Sequence, residues 1–211
     1  ISRAELNGKL VYTDDGKLVA AAPDLSQSPV ISLRYGGNLL DFESETDARW
    51  QYKAVNAMGW DAANQEVLSM QGKVPSGQLP GNLTPDALAD VIGLEADDLR
   101  HAGQLAGEEL QAWADALMLK SRLSKSRVRA RIQGLGNLRP GQVVELNGAG
   151  DRFNGKYFLA GIRHEINPNN WETNLELGLS PQWFSHEHTD ITHPKASGVL
   201  PALNGLQIGL V

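Results

Sequence analysis

Apolar and polar positions alternate along most of the N-terminal third, the period of half-buried strands. Residues 9–13 and 17–20 flank Asp14-Asp15-Gly16, whose glycine accepts positive φ, so the two segments read as a hairpin. Residues 30–33 give a short strand ahead of Gly36-Gly37. The stretch Leu39–Thr46 sets Leu40, Phe42, Ser44 and Thr46 on one face and Asp41, Glu43 and Glu45 on the other. Residues 51–60 and 65–71 predict two further strands, joined by the polar turn Asp61-Ala62-Ala63-Asn64.

The middle of the chain changes character. Residues 73–82 are rich in proline and glycine, which break regular structure. A helix is predicted from Thr84-Pro85-Asp86, with threonine as cap and proline at the first helical position, ending at Ile92 before Gly93. A longer helix runs from Gly107 to about Leu123. There Leu110, Trp113, Ala114, Leu117 and Met118 recur on one face, and Glu108 and Glu109 occupy the first turn.

The last third returns to strands. Val128-Arg129-Ala130-Arg131-Ile132 alternates apolar and basic residues, and residues 141–146 follow the turn formers Arg139-Pro140. Residues 157–164 and 173–179 read as a long pair around Asn167-Pro168-Asn169-Asn170. Four strands entered through one helix predict a small barrel or a curled sheet. Beyond Phe184 the composition turns to His, Thr, Pro, Ser and Gly, that of a linker. The expected fold class is mainly β with a helical insertion (α+β). Its expected regions are β-rich residues 1–72, a loop and helical segment at 73–125, closing barrel strands at 126–184, and a linker at 185–211.

The 211 residues suffice for one large or two small domains; 41% are apolar and 21% charged, ordinary values for a globular protein. No run of eighteen apolar residues occurs, so no membrane-spanning helix is expected. The first residues lack the basic and apolar blocks of a secretory signal, and the isoleucine start suggests a chain cut from something longer. The absence of cysteine removes disulfides, thiolate zinc sites and cysteine nucleophiles, and fits synthesis in a reducing cytoplasm. A net charge of −6 argues against a general nucleic-acid binder.

Few constellations carry chemistry. His186-Glu187-His188-Thr189-Asp190, with His193 beyond, holds donors suited to zinc, but no helical i, i+4 pair fixes them and a linker leaves them solvated. The basic run Lys120, Arg122, Lys125, Arg127, Arg129, Arg131 resembles a phosphate stripe. Its first members instead suit a helix C-terminus, and its last three paint one strand face that is solvated, lines a channel or pairs with an acidic neighbour chain. Asp41, Glu43, Glu45 and Asp47 read as the wet side of a strand rather than an acid–base pair. No G-x-S-x-G turn or phosphate loop occurs, and Trp50, Trp60, Trp113, Trp171 and Trp183 read as core or interface anchors. The expectation is therefore no enzyme, with no catalytic residue, metal or cofactor.

One stretch of motifs has a family counterpart. Ile132-x-Gly134, Leu138-Arg139-Pro140-Gly141-x-Val143-x-x-Leu146-x-Gly148, Phe153-x-Gly155-x-Tyr157-Phe158-Leu159 and Ile162-x-His164-x-Ile166 are followed by Trp171-Glu172-Thr173-Asn174-Leu175-Glu176-Leu177. This order resembles the closing barrel of the VgrG, or Rhs-element Vgr, family and its cousins, the late-control tail hub proteins of contractile injection systems. Gly37-Asn38-Leu39-Leu40-Asp41-Phe42, Asp47-Ala48-Arg49, residues 51–55 and Gly59-Trp60-Asp61 look similar too, so the resemblance covers about residues 30–184.

The resemblance implies small hub-type β-barrels connected by a helical segment. It implies a homotrimer in the full-length protein, joining a tail tube and baseplate proteins to a spike, spike tip or effector. Such a protein is made in the cytoplasm, assembled into the particle and exported or injected with it. Residues 200–211 look like the approach to an oligonucleotide-binding-type domain, and most of the family's first barrel and all of its spike are expected to lie outside this chain. The residues expected to serve structure or interface are Trp50, Trp60, Arg129, Arg131, Phe153, Tyr157, His164 and Trp171. The alternatives are a metal-dependent hydrolase built on His186, His188 and His193, and a carbohydrate-binding β module.

Overall fold

The computed structural model describes residues 1–101 and 103–188. A short helix, α1 (Ser2–Glu5), precedes the predicted hairpin, which forms as β1 (Leu10–Asp14) and β2 (Lys17–Ala21). Asp15 and Gly16 both turn with positive φ, 47° and 73°, the geometry that matches the twist of paired strands. The remaining elements follow as β3 (Ser32–Arg34), β4 (Leu39–Thr46), β5 (Ala54–Asp61), β6 (Glu66–Gln71), α2 (Pro85–Ile92), β7 (Ala96–Arg100) and α3 (Gly107–Leu123). The chain then runs through β8 (Ser126–Gln133), β9 (Val143–Asn147), β10 (Gly155–Asn167), β11 (Asn170–Leu177) and α4 (Phe184–Glu187). Residues 1–181 make one compact unit; α4 belongs to a second that starts at Gln182.

The principal sheet has six strands in the order β3-β9-β10-β11-β8-β4. Its first and last strands are neighbours in sequence, joined only by Tyr35-Gly36-Gly37-Asn38, so its two edges approach at that corner and the sheet curls into a half-barrel. Asn38 pins the corner: its amide donates to the Ser32 carbonyl at 2.9 Å and its Oδ1 accepts from the Arg34 N–H at 2.6 Å. β10 also bends the sheet. Residues Gly155 to Phe158 pair with β9, and a register shift between Leu159 and Gly161 redirects the strand along β11.

Alternation decides what fills the half-barrel. On β8, Val128, Ala130 and Ile132 point inward and are buried with Leu33, Val144, Leu146, Tyr157, Leu159, Leu175 and Leu177. Each large side chain buried there contributes about 1.5–3 kcal/mol. The opposite face of β10 puts Phe158 into a second cluster with Leu25, Leu123 and Leu179. A separate sheet, β6-β5-β7, lies against α3, with Val55 and Ala57 fully buried and Leu110 close to Gly59.

Several expectations change. The segment β7, Ala-Asp-Asp-Leu-Arg, has poor strand propensity and no counterpart among the predicted strands; it forms because α2 carries the chain back to pair in parallel with β5. Leu40 does not share the inner face with Phe42, Ser44 and Thr46. The bulge between Leu39 and Asp41 turns it out while those three face in. Asp47 is not on the wet side. It is buried and gripped by Arg49 at 2.8 Å and 3.0 Å, and that guanidinium holds its carboxyl below the usual range. The β3 and β4 strands, from residues 1–72, share a sheet with strands from residues 126–184, so the two regions interleave in space. Of residues 185–211, those beyond 188 lie outside the described residues.

The basic run is consumed by partners in its own chain. Lys120 pairs with Glu5 of α1 at 2.5 Å, and Arg122 with Asp86 of α2 at 3.1 Å. Lys125, fully buried, donates to the carbonyls of Pro80 and Leu83, the latter at 2.8 Å. Arg127, Arg129 and Arg131 stand directly across from Glu45, Glu43 and Asp41, forming a ladder of opposite charges between β8 and β4. The acidic partner of this face is thus a strand of the same molecule, not a neighbouring chain.

Gly178 is where the fold tolerates no side chain. It adopts φ +83°, and a Cβ there would lie 2.6 Å from the Ser126 carbonyl oxygen and 3.0 Å from that of Leu123. Gly178→Ala is therefore expected to cost about 2–4 kcal/mol, combining left-handed strain with a backbone clash, in urea unfolding. Gly36→Ala, where a Cβ meets nothing within 4 Å, is expected to cost only about 1 kcal/mol. A second expectation concerns pH. Burial pulls the Lys125 ammonium down from 10.5 to about 8, so between those values the unfolded chain holds a proton that the folded chain has lost. Stability should then rise with pH from about 8, by at most about 3 kcal/mol, since two carbonyl acceptors favour the charged form. Burial lifts the Tyr157 phenol above its usual 10.0, which opposes the trend at higher pH. Urea melts between about pH 8 and pH 9.5 should show the rise in the parent and a flat line in Lys125→Met.

Candidate assembly surface

The eight residues singled out by sequence fall in four places. Tyr157 is inside the half-barrel, its hydroxyl donating to the Phe153 carbonyl at 2.8 Å, and burial leaves it a structural position only. Phe153 is half-buried and meets Phe42 edge to face, with centroids 6.4 Å apart. Tyr35, at the β3–β4 corner, continues this aromatic row onto the surface through Phe42, again at 6.4 Å.

Trp50 follows β4 and docks the chain on α3. Its carbonyl accepts from the Ser121 hydroxyl at 2.7 Å, and the neighbouring Gln51 amide donates to the Ser121 carbonyl at 2.6 Å. Gln51 is fully buried, and sequence reasoning missed both it and Ser121. A lone polar residue inside a strand-like stretch carries no signal of what it bonds across 70 positions.

Arg129 and Arg131 stand on the outer face of β8. Arg131 bridges two strands, reaching Asp41 at 3.6 Å and Glu172 of β11 at 3.5 Å. Arg129 lies 3.8 Å from Glu43, and both are largely exposed, so this pair contributes little. The outer face is charged but balanced within the chain.

His164 and Trp171 meet near the tip of the β10–β11 hairpin. The His164 Nδ1 lies 3.0 Å from the Thr173 hydroxyl and accepts from the Trp171 indole N–H at 3.4 Å. The rings are 5.9 Å apart in an edge arrangement. Thr173 Oγ1 in turn accepts from the Leu135 N–H at 3.1 Å. The indole lies over Gly134, where a Cβ would come within 2.2 Å of the ring; only glycine allows that approach. Ile166, on the same hairpin, is exposed.

Trp60 belongs to the second sheet. Gly59 faces Leu110 of α3, so Trp60 projects from the opposite side, where it is 47% exposed beside its cross-strand partner Val67 at 62%. Half-buried Met58 extends the apolar strip, and Asn56, Asp98 and Arg100 border it. Asp98 accepts from the Asn56 amide at 3.0 Å and from the Arg100 guanidinium at 3.3 Å, and these two bonds hold its carboxyl below its usual range. The face is apolar in the middle and ordered and polar at its rim, as protein contact surfaces are.

No catalytic arrangement appears among these groups. Among the described residues no three His, Asp or Glu side chains come close enough to share a metal ion. His186 lies in α4 and His188 just after it, with the Phe184 and His188 rings 4.5 Å apart, while His193 lies outside the described residues. No described helix is long and apolar enough to cross a membrane.

The fold is similar to those of phage tail proteins. It aligns with a tail protein from Neisseria meningitidis MC58 at a TM-score of 0.57 and 19% identity, over 85% of this chain and 53% of that one. The 43 kDa tail protein of prophage MuSo2 from Shewanella oneidensis gives 0.54 and 12%, over 83% and 50%. A chain of the virion of a native gene transfer agent particle gives 0.51 and 18%, over 87% and 38%. The chain thus spans about half the length of these proteins, or less. No curated protein matches it. Residues 1–168 match the family model described as the Alg8 N-terminal domain, and the chain belongs to that family.

Proposed function

We propose that this chain is a structural part of a tail-like particle and works by shape and contact rather than by catalysis. The observation that carries the reading is the fold itself, similar to a tail protein over 85% of this chain. The geometry supports it. Buried Gln51, Lys120, Lys125 and Thr173 are tied to other parts of the same molecule, and the prominent surface features are apolar strips on sheets.

The narrower reading is a hub component. In it the full-length protein is a trimer that joins the tail tube and baseplate to a spike of the VgrG or late-control type, and is assembled into the particle and carried out with it. The ordered motifs from Ile132 to Leu177 support this, as does the half-barrel they form. In this reading the open face bearing Trp60 and Val67, and the hairpin tip bearing Ile166 and Trp171, are the contact surfaces. Arg129 and Arg131 stiffen the sheet between them.

The test is the absolute mass of the full-length protein in solution, by light scattering on a sizing column. A trimer is expected, and a monomer overturns the hub reading. The paired substitution Trp60→Ser and Val67→Ser is expected to weaken self-association at least tenfold, since aromatic anchors dominate such contacts. The urea midpoint of this chain should hardly move, because both side chains are already exposed. A trimer equally tight in the double variant removes that face from the interface.

A further inference from the structure

Unpaired strand edges invite pairing with other chains, and this fold guards most of its own. On the principal sheet, edge strand β4 carries Asp41, Glu43, Glu45 and a bulge, and edge strand β3 has only three residues. Edge strand β7 of the second sheet carries Asp97, Asp98 and Arg100. β2 and β6, also at the ends of their sheets, have none of these devices. Each pairs in unbroken register with one neighbour and is charged only at its first residue, Lys17 or Glu66. The hairpin is held to the core by β1, through Leu10 and the Asp14–Arg139 pair at 2.8 Å, while β2 leaves Leu18 76% exposed.

The two open edges match in their backbone groups. The two-residue turn makes Asp14 and Lys17 a bonded pair, so Leu18 and Ala20 turn their N–H and C=O groups away from β1. On β6 the Gly72 N–H donates to the Val55 carbonyl at 2.8 Å. Counting back from it, Met70 and Leu68 bond to β5, and Ser69 and Val67 face outward. Among the described residues nothing bonds the outward groups of these four. Gln71, next in the outward row, already gives its carbonyl to the Gln111 amide at 2.8 Å.

We propose that β2 of one copy of the chain pairs antiparallel with β6 of the next, Leu18 opposite Ser69 and Ala20 opposite Val67. This pairing presupposes the self-association of the hub reading and specifies which edges meet. Val19 then falls opposite Leu68 and Lys17 opposite Met70, on the face toward α3. There Met70, Ala112, Glu108 and Asp115 line an open groove, and neither carboxylate is in an ion pair among the described residues. Lys17, which is exposed, brings that groove its missing positive charge. On the other face Leu18 and Ala20 extend the apolar strip of Trp60 and Val67. Main-chain bonds hold such a contact, and the alternate side chains fix its register. Joining two unlike edges is a head-to-tail contact, which closes into a ring when the rotation allows.

The test uses the full-length protein, with any cysteine outside this cysteine-free chain changed to serine. Across an antiparallel bonded pair the Cα atoms lie about 5.5 Å apart, within reach of a disulfide. Ala20→Cys combined with Val67→Cys is expected to give covalently linked trimers on a non-reducing gel after mild oxidation. Leu18→Cys with Val67→Cys, two residues out of register, should give less than a tenth as much. Ser69→Pro removes an outward N–H that its own sheet does not use. Its circular dichroism should match the parent's, while light scattering shows self-association weakened at least tenfold. A trimeric parent that forms no in-register disulfide, or that stays equally tight in Ser69→Pro, overturns the pairing and leaves the hub reading standing. A monomeric parent overturns both.

Discussion

The structure depends on the register of β8 between β4 and β11. From Arg127 to Ile132 arginine alternates with an apolar side chain, so the strand has one acceptable placement. A slip by one residue sends three guanidinium groups into the half-barrel and Val128, Ala130 and Ile132 into water, a penalty that no alternative pairing could offset. The acidic strand opposite adds a second restraint, since Asp41, Glu43 and Glu45 meet arginines only in the observed pairing. Each exposed pair contributes about 0.2–1 kcal/mol at most, so the ladder acts chiefly on specificity. With β8 fixed, β11 is placed by its partner on the other side, and β10 and β9 follow in turn.

The local features were readable because local chemistry determines them. The 14–17 turn, the Thr84 cap with Pro85, the end of α2 at Gly93 and both limits of α3 all arise from residues in contact with their own neighbours. The alternation of β8 disclosed a strand with two unlike faces, though not which elements met them. The parallel pairings were hidden. β3 with β9 and β5 with β7 join segments far apart in sequence, and no short-range pattern reports such pairing. The candidate surface was legible in part: Trp60 and Trp171 stood out as large aromatics, but only the placement of α3 determines which face of β5 stays open.

The buried cations form a second framework. Lys120, Arg122 and Lys125 lie within one and a half turns at the α3–β8 corner and reach α1, α2 and the loop between β6 and α2. These elements are short or irregular and bury little apolar surface by themselves. Long basic side chains suit the task, because their alkyl stems pack against the core while their heads reach acceptors on three separate pieces of chain. In sequence the same residues read as a helix C-terminus rich in positive charge. Their role shows only when the acceptors are seen, since Glu5 and Asp86 lie 115 and 36 residues from their partners.

β10 gives the molecule a mechanical property. Its thirteen residues run from the floor of the core to the hairpin tip, bonded first to β9 and then along their length to β11. A pull on Ile166 directed along this strand loads the β11 ladder in shear, so its hydrogen bonds must fail together. A pull across the strand would open them one at a time from the tip. The same hairpin is therefore stiff in one direction and compliant in another, and tension applied along it passes into the sheet as a whole rather than peeling it away.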